Sequence, residues 1–151
     1  MTAVLQRISH ATVYADGVLS GEVSAGLYIL LGVEKEDTQE DVLALAEKIA
    51  KLRIFEDNDG KMNRSVQDID GEVMVVSNFT LAADYSHGNR PSYFGAAAPE
   101  MADKLYNMFV TQMAGRVKKV ATGKFGADMR TDMQTDGPVT IVMHSSVLRK
   151  K

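Results

Sequence analysis

The chain has 151 residues, 45% hydrophobic and 25% charged, with a formal net charge of −3 and no cysteine. The length is that of one domain burying about 70% of its unfolded surface. The missing thiols exclude a disulfide framework, a thiolate zinc site and a cysteine nucleophile. The acidic balance excludes a broad electrostatic grip on nucleic acid, which needs clustered Lys and Arg.

Thr2 to Ile8 alternates as a strand, with Arg7 on the face of Ala3 and Leu5; an arginine there lies at a strand end or is paired inside a site. Ala11–Tyr14 and Val18–Val23 flank Asp16-Gly17, a hairpin signal because type I′ turns need positive φ. Gly26 introduces Leu27 to Val33, a strand buried on both faces; its apolar run is too short to span a bilayer. A helix begins at Asp37 or Thr38, with Val42, Leu45, Ala46, Ile49 and Leu52 on its inner face. Glu56 to Gly60 is a turn; aligning an EF-hand on Gly60 puts Phe55 at the first ligand position.

Asp70-Gly71 leads into the longest strand signal, Glu72 to Leu81, which turns polar at Ser77, Asn78 and Thr80. Strands that end this way deliver polar groups to sites. Ala82 to Ala98 lacks periodicity and holds Tyr85, His87, Arg90, Tyr93 and Phe94, the mark of a functional loop. Pro99 opens a second helix whose inner face is Met101, Leu105, Met108, Phe109 and Gln112-Met113, ending at Gly115. Val117 to Thr122 is a basic edge strand, and Gly123 to Gly126 a turn. A last strand alternates from Met129 to Gln134, meets Gly137-Pro138, and resumes over Val139 to Met143. Residue types alone leave Gly137-Pro138 as either a strand-joining turn or a side-chain-free wall of a binding site. The order implies an α+β fold: one domain of antiparallel or mixed, barrel-like sheet covered by two helices.

His10, His87 and His144 share no ligand spacing, so neither a metal nor another cofactor is expected. Phosphate loops and a Gly-x-Ser-x-Gly elbow are absent. Ser77 and Thr80 are possible nucleophiles without an evident histidine base. If the chain at Asn78-Phe79-Thr80 leaves the ladder, its free N–H groups could stabilise an oxyanion, which suits acyl-ester cleavage. Basic residues able to touch a small part of an RNA are Arg90, Lys118, Lys119, Lys124, Arg130 and the tail Arg149-Lys150-Lys151. Their ordinary meaning is a solvated face and a frayed terminus.

Ser77-Asn78-Phe79-Thr80-Leu81 and Asp136-Gly137-Pro138-Val139-Thr140 resemble the signatures of the D-aminoacyl-tRNA deacylases, Ser-Gln-Phe-Thr-Leu and Asn-x-Gly-Pro-Val-Thr. The likeness extends through Ala3 to Arg7, Leu31 to Glu34, Leu52 to Asp57, Gly60 to Asn63, Arg90 to Ser92 and Gly123 to Met129. It implies a cytoplasmic homodimer, with no membrane association, that hydrolyses D-aminoacyl-tRNA and also passes achiral glycyl-tRNA. In the family one subunit inserts a cis Gly-Pro peptide into the other's pocket. On this chain the Gly137 and Pro138 carbonyls would hold the substrate's α-amino group and reject L side chains by clash, with Arg7 bracing them. Ser77 to Thr80 would line the scissile ester, Phe79 and Thr80 giving backbone N–H groups, with Phe125 and Met129 near the terminal adenine of the tRNA 3′ end. The attacking group would be Thr80 or act through the adenosine 2′-hydroxyl. Asn78 stands where the family has Gln, and Thr135 where it has Asn. Competing readings are a non-catalytic dimeric tRNA-binding module and an editing relative acting on L-aminoacyl-tRNA.

Overall fold

The computed structural model describes residues 1–149, so Lys150 and Lys151 of the basic tail lie outside it. Two long strands form its spine. β1 (Thr2–Ala15) runs unbroken where the sequence suggests two shorter pieces. After the Asp16-Gly17 turn, both residues at positive φ, come β2 (Val18–Val23) and β3 (Gly26–Gly32). Both pair antiparallel with β1, β2 along Ala11–Ala15 and β3 along Thr2–Ile8. β6 (Glu72–Ser77) joins β3 in parallel, and β7 (Lys119–Thr122) joins β6 in parallel, so the main sheet is mixed. Two short strands, β4 (Phe55–Glu56) and β5 (Met62–Arg64), make a separate hairpin.

The sheet curls until β7 meets β2. Ser20 Oγ donates to the Thr122 carbonyl at 2.8 Å, and Lys119 Nζ donates to the Glu22 carbonyl at 2.7 Å. Gly21 permits this approach, since a Cβ there would lie 2.9 Å from the Thr122 carbonyl oxygen. Closure explains the unbroken apolar runs. Tyr28 and Met74 face the barrel interior with Ile8, Ala11, Val13, Val23 and Val76. Leu27, Ile29, Leu31, Val73 and Val75 face the helices. A strand covered on both sides has no polar face to show in its sequence.

The covering helices are α1 (Gln39–Lys51) and α2 (Pro99–Ala114). Thr38 caps α1 in a capping box with Asp41, as its residue types predict. On α2 the buried line is Ala102, Leu105, Tyr106, Phe109 and Met113, whereas Met101 and Met108 are only partly buried. A short α3 (Ser145–Leu148), absent from the sequence reading, packs beside α1.

β8 (Met129–His144) is one strand along the outer edge of β1, where the sequence suggests an interruption. The ladder nevertheless opens in its middle. Thr135 pairs with Ile8 and Thr140 with Gln6, so Asp136 to Val139 bulge out opposite Arg7 alone. A compensating residue, Ser9, is spare on β1 between Ile8 and His10. Pairing thus resumes on both sides of Gly137-Pro138, and the strand continues through it.

Candidate active site

β6 stops at Ser77 rather than reaching Leu81, and the chain leaves the ladder there. Asn78 N–H still donates to the Leu31 carbonyl at 2.9 Å. Phe79–Ala82 then forms a single 3₁₀ turn. The Asn78 side chain caps it: Oδ1 accepts from Thr80 N–H at 3.2 Å and from the Thr80 hydroxyl. Both Thr80 donors are therefore spent on Asn78. Among the described residues, Phe79 N–H donates to no backbone acceptor in a turn, loop or cap, leaving it as the donor available to an oxyanion.

This strand end opens on a cavity of about 670 Å³, large enough for a nucleoside carrying an amino acid. Ser77, Asn78 and Phe79 line it, as do Phe125 and Met129 from the segment entering β8. Thr80 is exposed and is not on that lining. Tyr93, from the loop that the sequence marks as functional, and Tyr106, which the sequence offers only as a helix residue, complete the aromatic wall. Tyr93 meets Phe79 edge-on with ring centres 5.3 Å apart, and Tyr106 meets Phe125 at 6.0 Å. The spacing of Ala102, Tyr106, Phe109 and Met113 on one helical face was the available signal for Tyr106.

Tyr106 Oη donates to the Val75 carbonyl at 2.8 Å. Burial, helped by the charge of Asp103, pushes its pKa upward, so at neutral pH it is a fixed neutral donor. Burial also raises Tyr28, against the opposing effect of its 2.8 Å hydrogen bond with Thr131. Among the described residues no histidine lines the cavity. A Thr80 hydroxyl without an adjacent base, its proton held by Asn78, is a weak nucleophile.

Arg7, Gly137 and Pro138 form a second cluster. Arg7 is buried, 6% exposed, at the bulge. Its Nε donates to the Asp136 carbonyl at 3.1 Å, its guanidinium lies 3.3 Å from the Asp136 carboxylate, and its NH1 donates to the Ile54 carbonyl at 2.9 Å. The arginine thus grips the residue before Gly137 and anchors it to the start of β4. The Gly137-Pro138 peptide is cis, with both residues exposed on the outer strand. Neither lines the cavity of its own chain. At about 3.3 Å per residue, the eight steps along β8 from Met129 to Gly137 span up to about 26 Å.

A family model described as D-Tyr-tRNA(Tyr) deacylase matches residues 4–144. A D-aminoacyl-tRNA deacylase from Caldicellulosiruptor saccharolyticus is 52% identical over 145 residues, covering 96% of this chain and 97% of its own. One from Akkermansia muciniphila is 51% identical over 146 residues, with coverage of 96% and 97%. A solved structure, the c-Myc DNA unwinding element binding protein, superposes with a TM-score of 0.90 at 39% identity, covering 95% of this chain and 98% of that one. A probable eukaryotic D-amino acid tRNA deacylase superposes with a TM-score of 0.80 at 15% identity over 95% and 99% of the two chains, a likeness of fold alone. Matched from the third residue of β1 to the last residue of β8, the chain belongs to the D-Tyr-tRNA(Tyr) deacylase family.

Proposed function

We propose that the protein hydrolyses the ester of D-aminoacyl-tRNA, and of glycyl-tRNA, in the cytoplasm as a homodimer, proofreading charged tRNA and sparing L-aminoacyl-tRNA. The observation that carries this reading is the separation of two complementary parts. An ester-sized cavity ends β6, while an exposed side-chain-free wall sits on β8 outside that cavity. A second copy lending its Gly137-Pro138 to the cavity makes one site from the two parts. The long outer strand β8, paired among the described residues only with β1 and carrying exposed Met133 and Val142, is the surface that such a copy would cover.

In that site the Gly137 and Pro138 carbonyl oxygens accept from the substrate α-ammonium. An L side chain then points into the Gly-Pro backbone and clashes, a D side chain points away, and glycine meets no obstacle. Selection by exclusion leaves side-chain identity unread. Phe125 and Met129 flank the terminal adenine. Water, oriented by the adenosine 2′-hydroxyl, adds to the ester carbonyl carbon, and Phe79 N–H stabilises the resulting oxyanion. The bond to the 3′-oxygen breaks, one proton of the attacking water passes to that oxygen and the other to solvent, and the D-amino acid leaves as its carboxylate.

The deciding assay compares release of D- and L-tyrosine from charged tRNA. At micromolar enzyme the D-ester should be cleared while the L-ester persists. Equal release would make the chain an L-editing relative, and binding without release a non-catalytic module. With the hydroxyl engaged by Asn78, Thr80→Ala should stay within about tenfold of wild-type kcat. A loss of four decades, about 5.5 kcal/mol, would return the nucleophile to Thr80.

A further inference from the structure

The loop between the 3₁₀ turn and α2 holds aromatic rings outside the cavity, and its backbone is clasped rather than free. Asp84 and Ser92 exchange hydrogen bonds of 2.7 and 2.8 Å. Lys35 N–H donates to the Gly95 carbonyl at 3.1 Å, and Ala97 N–H to the Val33 carbonyl at 3.0 Å. On this clasp Tyr85 is 80% and Phe94 81% exposed, the two most exposed large hydrophobic side chains among the described residues. Lys35 Nζ sits 3.1 Å from the centre of the Phe94 ring, adding a cation to the platform. Arg90 lies at the tip of the same loop, and Asp84, its acidic member, spends its carboxylate on Ser86 N–H at 2.9 Å and Ser86 Oγ at 2.6 Å. Tyr93, beside Phe94, lines the cavity and touches Phe79, so the platform continues into the site.

We infer that Tyr85 and Phe94 are a stacking platform for the unpaired nucleotides preceding the terminal adenosine of the tRNA, with Lys35 and Arg90 meeting the intervening phosphates. The inference rests on the deacylase reading, which puts that adenosine in the adjoining cavity. A single strand is the partner that rigid exposed rings interleaved with cations suit, because every base offers a face to stack on whatever its sequence. It also supplies a grip on RNA that a chain of net charge −3 cannot obtain from bulk electrostatics.

The test uses the full-length protein with two substrates, D-tyrosyl-tRNA and the 2′(3′)-D-tyrosyl ester of free adenosine. Tyr85→Ala and Phe94→Ala should each raise KM for the tRNA about tenfold with kcat unchanged, leave the adenosine ester untouched, and Phe94→Trp should restore KM. Unchanged KM for tRNA, an equal fall on both substrates, or variants that lose wild-type oligomeric state by light scattering would overturn the inference, the last marking a protein interface. Should the wild type hydrolyse neither ester, the deacylase reading fails separately. Fluorescence anisotropy of a short RNA ending in CCA then decides the platform: weaker binding by the two variants supports it, and equal binding refutes it.

Discussion

Replacing Gly137 with alanine is expected to lower kcat/KM for D-tyrosyl-tRNA by about a hundredfold or more, at least 2.7 kcal/mol of transition-state stabilisation. Gly137 has φ +138°, a region that L residues rarely enter. A Cβ there would lie 2.5 Å from the Val139 nitrogen and 2.9 Å from Val139 Cγ2. Neither atom can yield, since one is backbone and the other belongs to a branched side chain stiff at χ1. The bulge has to change shape, and the carbonyls on either side of Gly137 turn with it. If these carbonyls hold the α-ammonium, binding and orientation fail together, which is why the predicted effect is large. Stability should suffer less, by about 1–3 kcal/mol or roughly 3–9 °C in Tm, because the site is exposed and the ladder resumes on both sides. Single-turnover hydrolysis alongside a thermal melt separates the two effects. Activity within tenfold of wild type on a folded variant would remove Gly137 from the site.

What the sequence could say about these features follows from where the information sits. The buried strands β3 and β6 are legible because covering both faces demands unbroken apolar runs in the sequence itself. The Asp16-Gly17 hairpin and the Thr38 cap are legible because local backbone geometry demands particular residues at particular positions. β8 is different. In sequence Gly137-Pro138 looks like a strand break because proline brings no ladder donor and glycine no side chain, but the continuity is supplied by Arg7 and by the spare Ser9 on β1, more than a hundred residues away. Alternation over Met129 to Gln134 likewise promises a half-buried face, and Met129 and Thr131 keep to it, as do Val139, Ile141 and Met143 beyond the bulge, but the strand between and its outer face are exposed. At the cavity, motif and strand end locate Ser77 to Thr80, whereas the loss of Thr80 N–H to Asn78 is a matter of side-chain reach. Asn is short enough to close on the amide two residues ahead, and the one-methylene difference from Gln acquires a meaning only once the 3₁₀ turn is seen.

Arg7→Met tests whether the bulge and the cavity work as one machine. Methionine keeps much of the aliphatic stem but none of the donors. The Ile54 and Asp136 carbonyls lose their guanidinium partner, and a buried acceptor left without a donor costs about 1–3 kcal/mol. With two such acceptors, one of them in a partly exposed bulge, the variant should lose about 3 kcal/mol of stability, or roughly 6–12 °C in Tm. The exposed Asp136 carboxylate adds little, so the Tm difference between wild type and Arg7→Met should be nearly insensitive to added salt. Arg7→Lys should recover only part of the loss, because a single ammonium cannot reproduce the planar fork that reaches β4 and the bulge together. Activity carries the sharper distinction. Measured below the unfolding transition, Arg7→Met should reduce kcat/KM for D-tyrosyl-tRNA more than tenfold although Arg7 does not line the cavity. A purely structural arginine would lower Tm and leave the folded enzyme fully active, and that outcome would detach Arg7 from the chirality filter.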